Sequence, residues 1–184
     1  MRLFAAVVPP PPVCDELRRA LVPVRERAPE GLRWSPREQW HVTLLYLGEV
    51  PEERVAALRW ELERSLTLHK RCVLGLAGAG TFPGDAGAAR VLWAGLTGET
   101  GALAGMADGI RAAAAAAGVE AGEERDYVPH LTLARAGAPT DLSRTRADLA
   151  GPVGTEWTAD QVHLVHSRPG HTPRYHTVAS WGLA

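Results

Sequence analysis

His41-Val42-Thr43-Leu44 and His130-Leu131-Thr132-Leu133 are one word, His-apolar-Thr-apolar, written once in each half of the chain. In an extended strand successive side chains alternate faces, so the His and Thr of each word project from one side and the aliphatic pair from the other. Two such strands set side by side make a hollow floored by two imidazoles and two hydroxyls. That set can give and take protons beside a bound anion and donate hydrogen bonds to it. With 7 His and 12 Thr in 184 residues, chance placement gives roughly 0.1 such words. A single copy reads as well as a core histidine bonded to its neighbours; the pair reads as a site.

The chain is long enough for a single domain or two small lobes, and 46% hydrophobic content supports a sizeable core. A formal charge of −1 supplies no basic field for a long nucleic-acid footprint, so any phosphate must be gripped locally. All the basic residues but Lys70 are arginines, whose planar forks suit phosphate. Cys14 and Cys72 lie far apart without metal-like spacing. They are expected as reduced, structural thiols in a cytoplasmic protein. The apolar start, Met1 to Val8, stops at four prolines, too short for a signal segment or a membrane span, and reads as a first strand.

Outward from the two words, element signals alternate. Leu3 to Val8 reads as a buried strand. Val13, Leu17, Leu21, Val24 and Ala28 mark an amphipathic helix with Pro23 as a kink point. Gly31 to Gln39 reads as a connection in which Trp34 packs and Arg33 is solvated, with contact to a ligand the weaker alternative. Trp40 to Leu47 is the first motif strand. Pro51 and two glutamates then open a helix along Val55, Leu58, Leu62 and Leu66.

Arg71 to Leu76 reads as a strand, and the Gly-rich stretch Gly75 to Gly87 as a loop with neither a P-loop ending nor a dinucleotide fingerprint. Its Phe82 is expected as a hydrophobic plug, base stacking being the alternative. Arg90 to Leu96 is a strand, and Leu103 to Ala117 a helix stopped by Gly118. Glu123 to Tyr127 is polar, and Pro129 introduces the second motif strand, His130 to Arg135. Ala138 to Gly151 reads as loop with a short helix. Gln161 to His166 and Arg174 to Trp181 are strands around a Pro-Gly turn. Strand, helix and motif strand recur in both halves. The expectation is an α+β, pseudo-symmetric two-lobed fold spanning 1–184 as one domain, with antiparallel sheets lining a central cleft and helices outside.

Free imidazole titrates near pH 6.5, so of two rings one can be protonated and the other neutral. Around a phosphodiester, the neutral ring takes a proton from attacking water while the cationic ring protonates the departing oxygen. The hydroxyls of Thr43 and Thr132 donate to the non-bridging oxygens. Metal binding competes with this reading, but two imidazoles without a carboxylate fall short of a closed ligand set. No metal or other cofactor is expected. His163, His166, His171 and His176 straddle the Pro-Gly turn without ligand spacing and read as surface or interstrand residues.

Together these residues resemble the 2H phosphoesterase superfamily, and within it the RNA 2′,3′-cyclic phosphodiesterases, also called 2′-5′ RNA ligase-like proteins. The likeness rests on the paired His-x-Thr-x words and on flanking strings: Met1-Arg2-Leu3-Phe4, Leu32-Arg33-Trp34, Leu47-Gly48-Glu49, Thr81-Phe82-Pro83, Arg90-Val91-Leu92-Trp93 and Pro129 through Arg135. The resemblance implies that His41 is the proton donor to the leaving 3′ oxygen and His130 the proton acceptor from water. It implies RNA ends or nucleoside 2′,3′-cyclic phosphates as substrate, with no membrane and no obligate protein partner. It also nominates Arg135 as a phosphate contact. Strict alternation sends Arg135 to the face opposite His130, unless a bulge follows Thr132. End joining in the reverse direction and a non-catalytic module that binds RNA ends are the alternative readings.

Overall fold

The computed structural model describes residues 1–122 and 126–184, so the first three residues of the polar stretch Glu123 to Tyr127 lie outside the described residues. Nine strands and four helices are described: β1 (Arg2–Val7), α1 (Pro11–Arg27), β2 (Leu32–Trp34), β3 (Val42–Glu49), α2 (Glu52–Leu66), β4 (Cys72–Phe82), β5 (Ala89–Gly98), α3 (Thr100–Ala116), β6 (His130–Thr140), α4 (Ser143–Ala147), β7 (Pro152–Ala159), β8 (Gln161–Ser167) and β9 (Tyr175–Gly182).

Each long helix follows from its sequence. Pro11 and Pro12 open α1, where a missing N–H costs nothing, and Val13, Cys14, Leu17, Leu21 and Val24 are buried; the helix runs on as one element through Pro23. Glu52 and Glu53 sit at the positive N-terminus of α2, and Leu58, Leu62 and Leu66 are its buried stripe. In α3 the stripe is Leu103, Met106, Ile110 and Ala113. Gly118, at φ +70°, takes the left-handed turn that follows its C-terminus.

All strand pairings are antiparallel, in the order β7-β4-β5-β6-β3-β1-β8-β9, with β2 added to β6. The order is symmetric about its centre. The motif strands β3 and β6 meet in the middle, β1 and β5 flank them, and each half carries two further strands. The halves join at one register pair, Val42 opposite Leu131. The helices pack on the face bearing Val42, Leu44, Leu131 and Leu133, all in one buried core. The α+β fold with two lobes of antiparallel sheet is the one expected, although the strands form one continuous sheet and not two.

Three expectations need correction. The stretch Gly75 to Gly87 is not a loop, because β4 runs on to Phe82 and pairs with β5. One extra residue is absorbed between Leu76 and Ala79, where Gly78 has φ +67°; its glycine is that of a bulged strand, not of a flexible connection. Gly31 to Gln39 holds a short strand, β2, whose partner β6 supplies what its own three residues cannot. The third is β7, which the alternation missed because it buries only Trp157 and Ala159.

Candidate active site

Each motif strand carries a bulge at the same place. Against β1, Ala5 pairs with Leu45 and Ala6 with Thr43, which leaves Leu44 as the extra residue. Against β5, Leu92 pairs with Ala134 and Trp93 with Thr132, which leaves Leu133. A bulge shifts the alternation by one, so Leu44-Leu45 and Leu133-Ala134 are buried consecutively, and Tyr46 and Arg135 return to the face of their own His and Thr. Strict alternation therefore misplaces Arg135. It lines one cavity of about 640 Å³ together with His41, Thr43, His130 and Thr132. Tyr46 is the corresponding residue of the other lobe and lines it too.

Because Val42 lies opposite Leu131, the antiparallel register sets His41 beside Thr132 and Thr43 beside His130. Each imidazole thus stands across from the threonine of the other word. The rings are held identically: His41 Nδ1–H donates to the Gln39 carbonyl (2.7 Å) and His130 Nδ1–H to the Val128 carbonyl (2.6 Å). A carbonyl can only accept, so both Nδ1 atoms carry hydrogen and both Nε2 atoms are left for a ligand. The Tyr127 hydroxyl donates to the Thr43 carbonyl (3.1 Å), tying the approach to β6 onto β3.

Aromatic rings fix each imidazole from the side. His41 lies 4.7 Å from Phe4 and 5.3 Å, edge to face, from Tyr175. His130 lies 4.9 Å, edge to face, from Phe82 and 5.8 Å from Trp93. Phe82 packs against both Trp93 and His130 and so buttresses the imidazole. Burial pushes both rings below the ordinary histidine value, and the backbone carbonyls on Nδ1 pull them back up. His130, Arg135 and Arg174 push His41 further down, and Arg135 does the same to His130.

A pH dependence of stability follows from those directions. The unfolded chain takes up these protons near pH 6.5 and the folded chain only at lower pH, so the unfolded state binds more protons in between. Stability is then fully present above about pH 6.5 and is lost as pH falls through the folded values. Tm is expected to decline from pH 7.5 to pH 5.5, and less steeply in H41Q/H130Q. A Tm flat across that range, or an equal slope in the variant, would refute the assignment.

Arg2, Arg33 and Arg174 also line the cavity, and among the described residues no carboxylate does. Arg33 is therefore a cavity residue as well as a solvated one, and Trp34 lines the cavity while receiving the Arg25 guanidinium 5.0 Å from its ring centroid. Sequence reasoning quoted Arg2 and Trp93 only within flanking strings and did not single out Tyr46, Arg174 or Tyr175; the cross-strand register brings four of the five to the cavity and Trp93 against His130. Among the described residues no three His, Cys, Asp or Glu side chains converge as a ligand set. Of the C-terminal histidines, His163 bonds its cross-strand partner Ser180 (2.7 Å), and His176 of β9 contacts Arg168, which follows β8. No helix among the described residues is long and apolar enough to cross a membrane.

A family model described as the 2′-5′ RNA ligase superfamily matches residues 9–171. The chain is 35% identical over 176 residues to an RNA 2′,3′-cyclic phosphodiesterase of Thermus thermophilus, covering 91% of this chain and 82% of that one. A protein of the same name from Geobacillus stearothermophilus is 29% identical over 178 residues, 94% of this chain; the chain spans only 55% of that relative's length. Among solved structures, Escherichia coli LigT complexed with 3′-AMP superposes with a TM-score of 0.80 at 25% identity, covering 100% of this chain and 98% of the other.

Proposed function

The chain belongs to the 2′-5′ RNA ligase superfamily, and on that premise we propose that it hydrolyses RNA 2′,3′-cyclic phosphate ends to 2′-phosphate ends without a metal ion. One observation carries the reading: two imidazoles with free Nε2 atoms, two hydroxyls and Arg135 line one cavity. His130, neutral, takes the proton of an attacking water through Nε2. His41, whose protonated form the bound anion favours against burial and the neighbouring cations, delivers a proton to the departing 3′ oxygen. Thr43, Thr132 and Arg135 hold the non-bridging oxygens, whose charge grows in the transition state. Each lobe supplies one imidazole and one hydroxyl, so residues 1–184 act as one unit.

The names of the relatives support the substrate, and the LigT complex supports a nucleotide in a fold of this kind. Metal independence rests on charge. A cavity ringed by four guanidinium groups favours an anion and opposes a dication. Incubation with the four nucleoside 2′,3′-cyclic phosphates is expected to yield 2′-phosphates at a rate unchanged by a chelator. Release of 3′-phosphates, binding without turnover, or a rate abolished by the chelator and restored by metal would refute it.

A further inference from the structure

The register of β2 on β6 sets Arg33 directly opposite Arg135, and both are exposed on the cavity side. Like charges directly opposite on neighbouring strands destabilise a sheet unless something negative lies between them. Arg2 and Arg174 add two more cations on the same cavity. The first contacts the Tyr46 hydroxyl and lies 5.5 Å from that ring's centroid, and the second lies 5.5 Å from the Tyr175 ring centroid. None of the four pairs with a carboxylate among the described residues. A cyclic phosphodiester is a monoanion, and Arg135 with two threonines already answers it. Three guanidinium groups remain.

Resting on the hydrolase reading above, we propose that Arg33, supported by Arg2 and Arg174, is a second anion subsite that takes the phosphodiester on the 5′ side of the cyclic-ended nucleotide. The chemistry of the substrate fixes that side. Its 2′ and 3′ oxygens are both engaged in the cyclic ester, so a second phosphate can be attached to the same sugar only through the 5′ oxygen. The site therefore favours the end of an RNA strand over a free mononucleotide. A guanidinium fork on a phosphate forms paired charge-assisted hydrogen bonds, worth roughly tenfold or more in affinity.

The test compares three substrates with the full chain: a nucleoside 2′,3′-cyclic phosphate with a free 5′ hydroxyl, the same nucleoside with a 5′-phosphate, and a dinucleotide with the cyclic end. The expected result is a kcat/KM for the dinucleotide about tenfold above that for the 5′-hydroxyl compound. In R33Q that ratio falls towards one, and R33K keeps part of it, because charge remains while the fork is lost. A ratio near one in the unaltered protein, or one that survives R33Q, overturns the proposal. So does a gain from the 5′-monophosphate with none from the dinucleotide. If none of the three is turned over, the hydrolase reading falls and this one with it, whereas turnover of all three at equal efficiency removes the subsite alone.

Discussion

Replacing either His41 or His130 by Ala is expected to lower kcat on a nucleoside 2′,3′-cyclic phosphate by about 10² to 10⁴-fold, the usual contribution of a positioned acid or base. Both rings are only half-buried, and neither is the sole support of its strand. The variants are expected to fold, with Tm measured beside the rate. The doubly substituted protein should be little worse than either single one, since removing one half of a proton-transferring pair already idles the other. The roles separate with a 3′-deoxynucleoside 2′-(4-nitrophenyl) phosphate, which has no neighbouring hydroxyl to cyclise and whose leaving group departs without a proton. H41A should recover much of its lost rate on that ester, and H130A should not. Recovery of H130A instead would reverse the donor and acceptor, and near-normal rates for both variants on the cyclic substrate would remove the mechanism altogether.

The two words were legible because a short-range period of two dictates which side chains share a face, and that period needs only four residues. The helices were legible for the same reason at a period of 3.6. What escaped was whatever depends on a partner strand. Arg135 looks misplaced until Leu133 is seen to be the extra residue against β5, an event that nothing in His130 to Arg135 alone specifies. The Gly-rich run reads as loop until β5 and β7 pair with it on either side. Arg2, Arg174 and Tyr175 sit near the ends of β1 and β9, far from either word in sequence. Arg2 arrives at the cavity through the β1·β3 register, and Arg174 and Tyr175 through the β1·β8 and β8·β9 registers. Hydrophobic periodicity reports faces; it does not report neighbours.

One such neighbour pair governs His130 at a distance. Gly80 on β4 lies directly opposite Trp93 on β5, and the indole covers the glycine so closely that a Cβ built there would fall inside the contact distance of the ring. Trp93 in turn lies against Phe82 (5.3 Å) and His130 (5.8 Å). A rigid ring cannot yield as a flexible chain end does, so Gly80→Ala must move the indole, and the imidazole it buttresses moves with it. The expected outcome is a loss of about 1–3 kcal/mol in stability, as for other overpacked sites. A fall of about tenfold or more in kcat should accompany it, since small misplacements of a catalytic group are costly. The change Val73→Ala, at an exposed position of the same strand, touches no buttressing ring and should alter neither. The decisive measurement is the cycle with Trp93→Leu. If the ring transmits the effect, Gly80→Ala should cost much less when Trp93→Leu is already in place, in both Tm and kcat, and the two substitutions should not add. Strict additivity would mean that Gly80 acts on β4 itself and that Trp93 plays no part in holding His130.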